Sequence, residues 1–250
     1  MRITWTKLAA IALVAMLSLT AFIPGTLAES AEPRSIELDN GITLTIKSDE
    51  NGGSSIEYVE ASGIRDAETL ETLNAYLRWF SSDTYLDDGE DREWDTVEGK
   101  TSFSVLGGRY LSVRTEYFFS GARLAHPWSD IHALVFDLEA GEPDTQLTDY
   151  LPLDAGLRSA ITDGAFELAY PDTEPDDLWT RFAEEYIDEA DPEYYHTDFY
   201  LTETGIALFL RDRIHAEGDY WVIEAPFDKL DKLVTPMLAE LIAPDDQDRT

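Results

Sequence analysis

The chain has 250 residues, 44% of them hydrophobic and 12% aromatic, with no cysteine and a formal charge of −33. That much apolar material in a chain of this length supports a packed interior and argues against disorder. The lack of cysteine excludes a disulfide framework, a lipid-modified cysteine and a thiolate metal site, and the charge excludes nucleic acid as a partner.

Arg2 and Lys7 open the chain without an acidic neighbour, and an apolar or weakly polar run of about 16 residues follows from Leu8 to Ile23. A membrane-spanning helix needs roughly 20. The run stops at Pro24-Gly25 and small residues follow at Thr26 and Ala28, so residues 1–28 read as a signal peptide cleaved after Ala28. The rival is an uncleaved anchor. The expected location is periplasmic or secreted, and the cleaved chain is expected not to span a membrane. The leader carries two cations and no acid, so the mature chain is more acidic still. Such a field attracts basic proteins and speeds encounter with them. The other source of acidity is adaptation to a saline habitat, which fits 13 Arg against five Lys.

Residues 35–47 alternate apolar and polar on both sides of Asn40-Gly41, a pair suited to a primed hairpin turn, which predicts two paired strands. Asn51-Gly52-Gly53 breaks the chain, and Ile56 to Val59 forms a third short strand. Asp66 is the expected cap of a helix whose apolar stripe is Leu70, Leu73, Leu77 and Phe80, with Asn74 and Arg78 beside it. That stripe reads as core. Ser81 to Asp95 is almost wholly polar and reads as an exposed acidic loop; its spacing does not match the EF-hand pattern for calcium.

Residues 101–119 predict a hairpin turning at Gly107-Gly108, followed by a strand from Ala133 to Leu138. A helical stretch is expected from Asp154 to Leu168, and an amphipathic helix from Asp176 to about Ala190 built on Leu178, Phe182 and Tyr186. Strands at Phe199 to Thr202, Ile206 to Arg211 and Tyr220 to Glu224 precede a terminal helical segment between Leu233 and Ile242. Antiparallel hairpins grouped around separate helices argue for an α+β fold of antiparallel sheets with packed helices.

Chemistry is sparse. Neither Gly-x-Ser-x-Gly nor His-Glu-x-x-His occurs, and the four histidines, His126, His132, His196 and His215, include no i, i+4 pair, so no metal site or cofactor is predicted. Close carboxylate pairs such as Glu184-Glu185 arise by composition in a chain with 51 acids and do not define a glycosidase site. The aromatics say more, because exposed rings stack on sugars and anchor protein interfaces. Trp128 and the Tyr194-Tyr195 pair sit beside Pro127 and Pro192, off the apolar stripes, and are expected to be exposed in loops.

The order of these elements resembles the paired extracytoplasmic domains of the RsiV-like anti-sigma factor and of PdaC-like peptidoglycan deacetylases. Ile56-Glu-Tyr through Asp66 and Leu73-Asn74 looks like the family's short strand, turn and leucine-asparagine helix. Tyr110-Leu-Ser-Val, Tyr117, Gly121, Ala125-His126-Pro127, Phe136-Asp-Leu, Gly141 and Leu147-Thr-Asp-Tyr-Leu follow the order of its strand, turn and hairpin. Phe199-Tyr-Leu-Thr, Gly205, Ile206 to Leu210, Ala225-Pro226-Phe227 and Leu230 match its end. Gly121 to Leu124 spreads apart the family's compact Gly-Gly-Ala-His turn, so a longer turn is expected here.

The resemblance implies two intimately associated subdomains, PdaC-like over residues 29–100 and RsiV-like over 101–243, with a tail at 244–250. It implies an exported, non-catalytic binding or sensing module whose ligand is a cell-wall glycan or a basic protein such as lysozyme. The metal-dependent Asp/His motif of the deacetylases is missing, and with only Met1 to Lys7 ahead of the apolar run no anti-sigma role is expected. The family pattern lands on His126, which joins Pro127, Trp128, Tyr194 and Tyr195 as the expected ligand-binding residues; no catalytic residue is assigned. The alternative is an envelope hydrolase acting on peptidoglycan or another polysaccharide.

Overall fold

The computed structural model describes residues 34–86, 94–122, 124, 127–144, 146–168, 175–183, 199–211, 220–230 and 233–242, which belong to one compact unit. Seven strands in chain order form a large sheet: β1 (Ser35–Glu37), β2 (Thr43–Asn51), β3 (Ser54–Ser62), β4 (Thr96–Leu106), β5 (Tyr110–Ser120), β6 (Trp128–Asp137) and β7 (Glu142–Asp144). A second sheet of four has the order β8 (Glu167–Leu168), β11 (Tyr220–Pro226), β10 (Gly205–Arg211) and β9 (Phe199–Leu201). Among the described residues four helices of seven residues or more accompany them: α1 (Ala67–Arg78), α2 (Ala155–Thr162), α3 (Pro175–Ala183) and α4 (Pro236–Ile242). The α+β class read from the sequence is the observed one. No helix among the described residues is long and apolar enough to cross a membrane.

The pairing is antiparallel except at one place. After β3 the chain passes through α1 and returns as β4, which pairs parallel to β3 only through Ser55↔Glu98 and Ile56↔Gly99. Beyond that contact the end of β3 is met by the helix: Asn74 accepts the Ala61 N–H at 2.7 Å and donates to the Ala61 carbonyl at 2.9 Å. An amide side chain thus stands in for a neighbouring strand. Leu73, Leu77 and Phe80 bury against Leu44, Val59, Leu111, Val113 and Leu134, as the predicted stripe requires. Asp66 caps α1 by accepting from the Thr69 N–H at 2.8 Å.

The two sheets meet face to face. Ile131 and Ala133 of β6 pack on Tyr200, Ala207, Phe209 and Val222, and helices α2 to α4 cover the other side of the small sheet through Leu157, Ile161, Leu178, Phe182 and Leu238. At the seam the Leu201 N–H donates to Ser112 Oγ at 2.9 Å and Ser104 donates back to the Leu201 carbonyl. The boundary drawn at 100/101 falls inside β4, so the large sheet is built from both proposed subdomains.

Two readings are corrected. The helix expected from Asp154 to Leu168 stops at Thr162, because Gly164 turns left-handed at φ 80° and sends Glu167 and Leu168 into pairing with β11. Ser81 and Ser82 are fully buried in a π-helical turn and not in an exposed loop. There Ser82 donates to Asp49 at 2.8 Å. The rest of the predicted acidic loop, 87–93, and the second half of the helix expected to reach Ala190 lie outside the described residues.

Asp137, whose side chain is 9% exposed, ends β6 by holding the Arg109 guanidinium and accepting from the Glu139 and Ala140 N–H groups at 2.9 and 3.1 Å. Burial pushes its carboxyl up, but Arg109 and the two amides outweigh burial and hold it below the ordinary value. A depressed carboxyl stabilises the fold above the unfolded-state value, and that contribution is lost as pH falls through the folded-state value. Asp137→Ala is therefore expected to cost about 2 kcal/mol at neutral pH. Urea denaturation should show the gap between wild type and variant narrowing below about pH 4; a gap independent of pH would refute this role.

Candidate functional site

Val113, Thr115, Tyr117 and Phe119 alternate along β5 and share one face of the large sheet. The register with β6 sets Phe119 opposite Trp128, Tyr117 opposite Asp130 and Thr115 opposite His132, which brings rings and titratable groups together at the β6 entry. The Trp128 ring stacks on Phe119, with 4.0 Å between centroids and 12° between planes. Trp94, just before β4, meets Phe119 edge-on at 4.9 Å and Trp128 at 6.5 Å. Tyr85 closes the cluster against Tyr117 at 4.6 Å and Phe119 at 5.1 Å.

Polar groups run beneath these rings. His132, 4% exposed, places Nε2 3.0 Å from the Tyr85 hydroxyl and 3.1 Å from Asp130 Oδ2. The Tyr117 hydroxyl donates to the Ser81 carbonyl at 2.9 Å. Hydroxyls continue from Ser81 to Thr115 at 3.1 Å and from Thr115 to Thr101 at 2.8 Å. Burial pushes the Tyr117 hydroxyl well above its ordinary range and keeps it neutral. An Asp-His-Tyr set can move protons in principle. Here His132 is buried among the rings of Phe80, Tyr85 and Tyr117, while Tyr85 and Asp130 are half-buried. Among the described residues no group of three or more His, Asp or Glu is placed to hold a metal ion.

Of the residues expected to bind ligand, the structure sets Pro127, exposed, next to Trp128. Trp128 is not an exposed loop ring: it is the first residue of β6 and half-buried, because pairing with β5 lays it on Phe119. His126, Tyr194 and Tyr195 lie outside the described residues. Where a longer turn is expected after Gly121, the Leu124 N–H donates to the Gly121 carbonyl at 3.2 Å and the Ala122 N–H to Asp95 Oδ2 at 2.6 Å, while Arg123, Ala125 and His126 lie outside the described residues.

Two exposed rings escaped the sequence reading, Trp79 at 46% and Phe118 at 49%. Both had a signal. Trp79 falls one position off the Leu73–Leu77–Phe80 stripe and points away from the core, resting 5.5 Å from Tyr76. Phe118 is out of step with buried Tyr117 and Phe119, so strand alternation sends it to the opposite face.

No family model and no curated protein matches this chain. Among solved structures it is similar to a member of the DUF3298 family from Bacteroides fragilis, at 14% identity and a TM-score of 0.48, covering 83% of this chain and 100% of that one. It is also similar to a DUF3298-family protein from Pseudomonas aeruginosa, at 11% identity and a TM-score of 0.44, covering 78% of this chain and 95% of that one.

Proposed function

We propose that the chain is an exported, non-catalytic binding module of the cell envelope that takes a cell-wall glycan at the edge formed by Pro127 and Trp128. The stacked Phe119–Trp128 pair carries this reading: the tryptophan is held by the ring behind it while part of its surface stays at solvent. A ring fixed before binding loses little entropy when a sugar stacks on it. Asp95, exposed beside the end of β5, stands close by in the fold as an acceptor for sugar hydroxyls. The resemblance to RsiV-like and PdaC-like modules and the signal peptide expected over residues 1–28 support the same reading. A second ligand class, a basic protein such as a lysozyme-like hydrolase, is favoured by the formal charge of −33.

Calorimetric titration of residues 29–250 with soluble peptidoglycan fragments tests the glycan reading. Saturable binding is expected, insensitive to salt and weakened about tenfold or more in Trp128→Ala. A lysozyme arm should instead weaken steeply as ionic strength rises past about 0.15 M. Turnover of the glycan would replace this reading with an envelope hydrolase, and silence with both ligands would defeat it.

A further inference from the structure

A groove of about 470 Å³ runs between α1 and β3, away from the Trp128 edge. Its size falls within the range of small-ligand and peptide clefts. Ala67, Leu70 and Ala75 of the helix and the Tyr58 ring supply an apolar lining, while Glu60 and Glu71 stand on its strand and helix walls. The Asn74 clamp on Ala61 ties helix to strand, so the groove exists before anything enters it.

Arg78 closes one end, yet its charge is already engaged. Its Nε donates to Asp49 Oδ2 at 2.8 Å and lies 3.6 Å from Asp83, with the guanidinium 5.7 Å from the Tyr58 ring centre. Lys47 lies 3.6 Å from Glu60 in an exposed pair. Four carboxylates, Asp49, Glu60, Glu71 and Asp83, thus face two cations. The Tyr58 hydroxyl reports the same field: it is raised by burial first and then by Asp49, Glu60 and Asp83, with Arg78 opposing.

We propose that this groove docks a basic segment of a partner protein, seating aliphatic stems on Leu70 and Tyr58 and cationic heads on Glu60 and Glu71. Lysine and arginine carry an apolar stem beneath a charged head, which matches an apolar lining between carboxylates. Complementary charge also steers the approach. The inference rests on the basic-partner reading above and adds a place and a chemistry to it.

The test uses an acetylated, amidated Leu-Lys-Lys-Leu peptide against the whole mature chain, read by calorimetry and by amide NMR shifts. The expected result is one-site binding that moves the signals of residues 58–78 and weakens about tenfold in the double variant Glu60→Gln/Glu71→Gln. The variant Glu98→Gln/Glu116→Gln removes the same charge from other exposed sites of the large sheet and should change affinity less than about twofold. Equal losses in the two variants, shifts scattered over the surface, or no saturable binding would each overturn the groove. Glycan binding lost in Trp128→Ala but kept in Glu60→Gln/Glu71→Gln would leave the module reading intact whatever the peptide does.

Discussion

Replacing Phe119 with alanine is expected to cost about 3–5 kcal/mol of folding stability, the range for removing a fully buried aromatic ring. Phe119 is wholly buried and touches Trp128 by stacking and Trp94 and Tyr85 edge-on, so one deletion removes the backing of three rings. Urea denaturation followed by circular dichroism measures the loss, and a value below about 1.5 kcal/mol would mean that the neighbours collapse into the space. The functional consequence is separable. Phe119→Leu keeps apolar volume and should fold, but it presents no flat face to Trp128. Peptidoglycan-fragment affinity should then fall although Trp128 itself is present. An unchanged affinity in folded Phe119→Leu would show that stacking does not prepare the edge.

Local chemistry made much of this fold legible in the sequence, and long-range pairing hid the rest. Asn40-Gly41 and Gly107-Gly108 announce hairpins because few residues other than glycine sit easily at positive φ, and Gly41, Gly107 and Gly108 do so at 84°, 60° and 65°. Asp66 announces its helix through a hydrogen bond that spans three residues. The parallel contact of β3 with β4 left no such mark, since alternation tells which face a side chain occupies and nothing of which strand lies alongside. Ser81 and Ser82 read as loop because serine is polar, yet the fold gives them Thr115 and Asp49 as partners and so permits their burial. Trp128 misled in the same way: its neighbour Pro127 suggests a loop, whereas a ring on a strand 9 residues earlier decides where it packs. The groove was half visible, because Asn74 and Arg78 were seen beside the stripe, but Tyr58 and Glu60 join them only through the turn that carries β3 into α1.

That turn makes Gly63→Ala the other substitution with a large expected effect. Gly63 has φ +86°, and a Cβ there would stand 2.2 Å from the Gly41 carbonyl oxygen. The collision is with backbone, which has no rotamer to escape into. Left-handed geometry alone costs an alanine about 1–2 kcal/mol, and the collision should raise the total to about 3 kcal/mol or more. Gly41→Ala is the internal control: Gly41 has φ +84°, but a Cβ on it meets nothing within 4 Å. It should lose only the conformational part. Equal losses from the two variants in urea denaturation would mean that the close approach is relieved at no cost. If the losses differ as expected, the displacement must be taken up between the β1–β2 hairpin and the start of α1, where Ala67 and Leu70 line the groove. Gly63→Ala, in conditions where it remains folded, should then bind the Leu-Lys-Lys-Leu peptide more weakly than Gly41→Ala does, while both bind peptidoglycan fragments alike through the distant Trp128 edge.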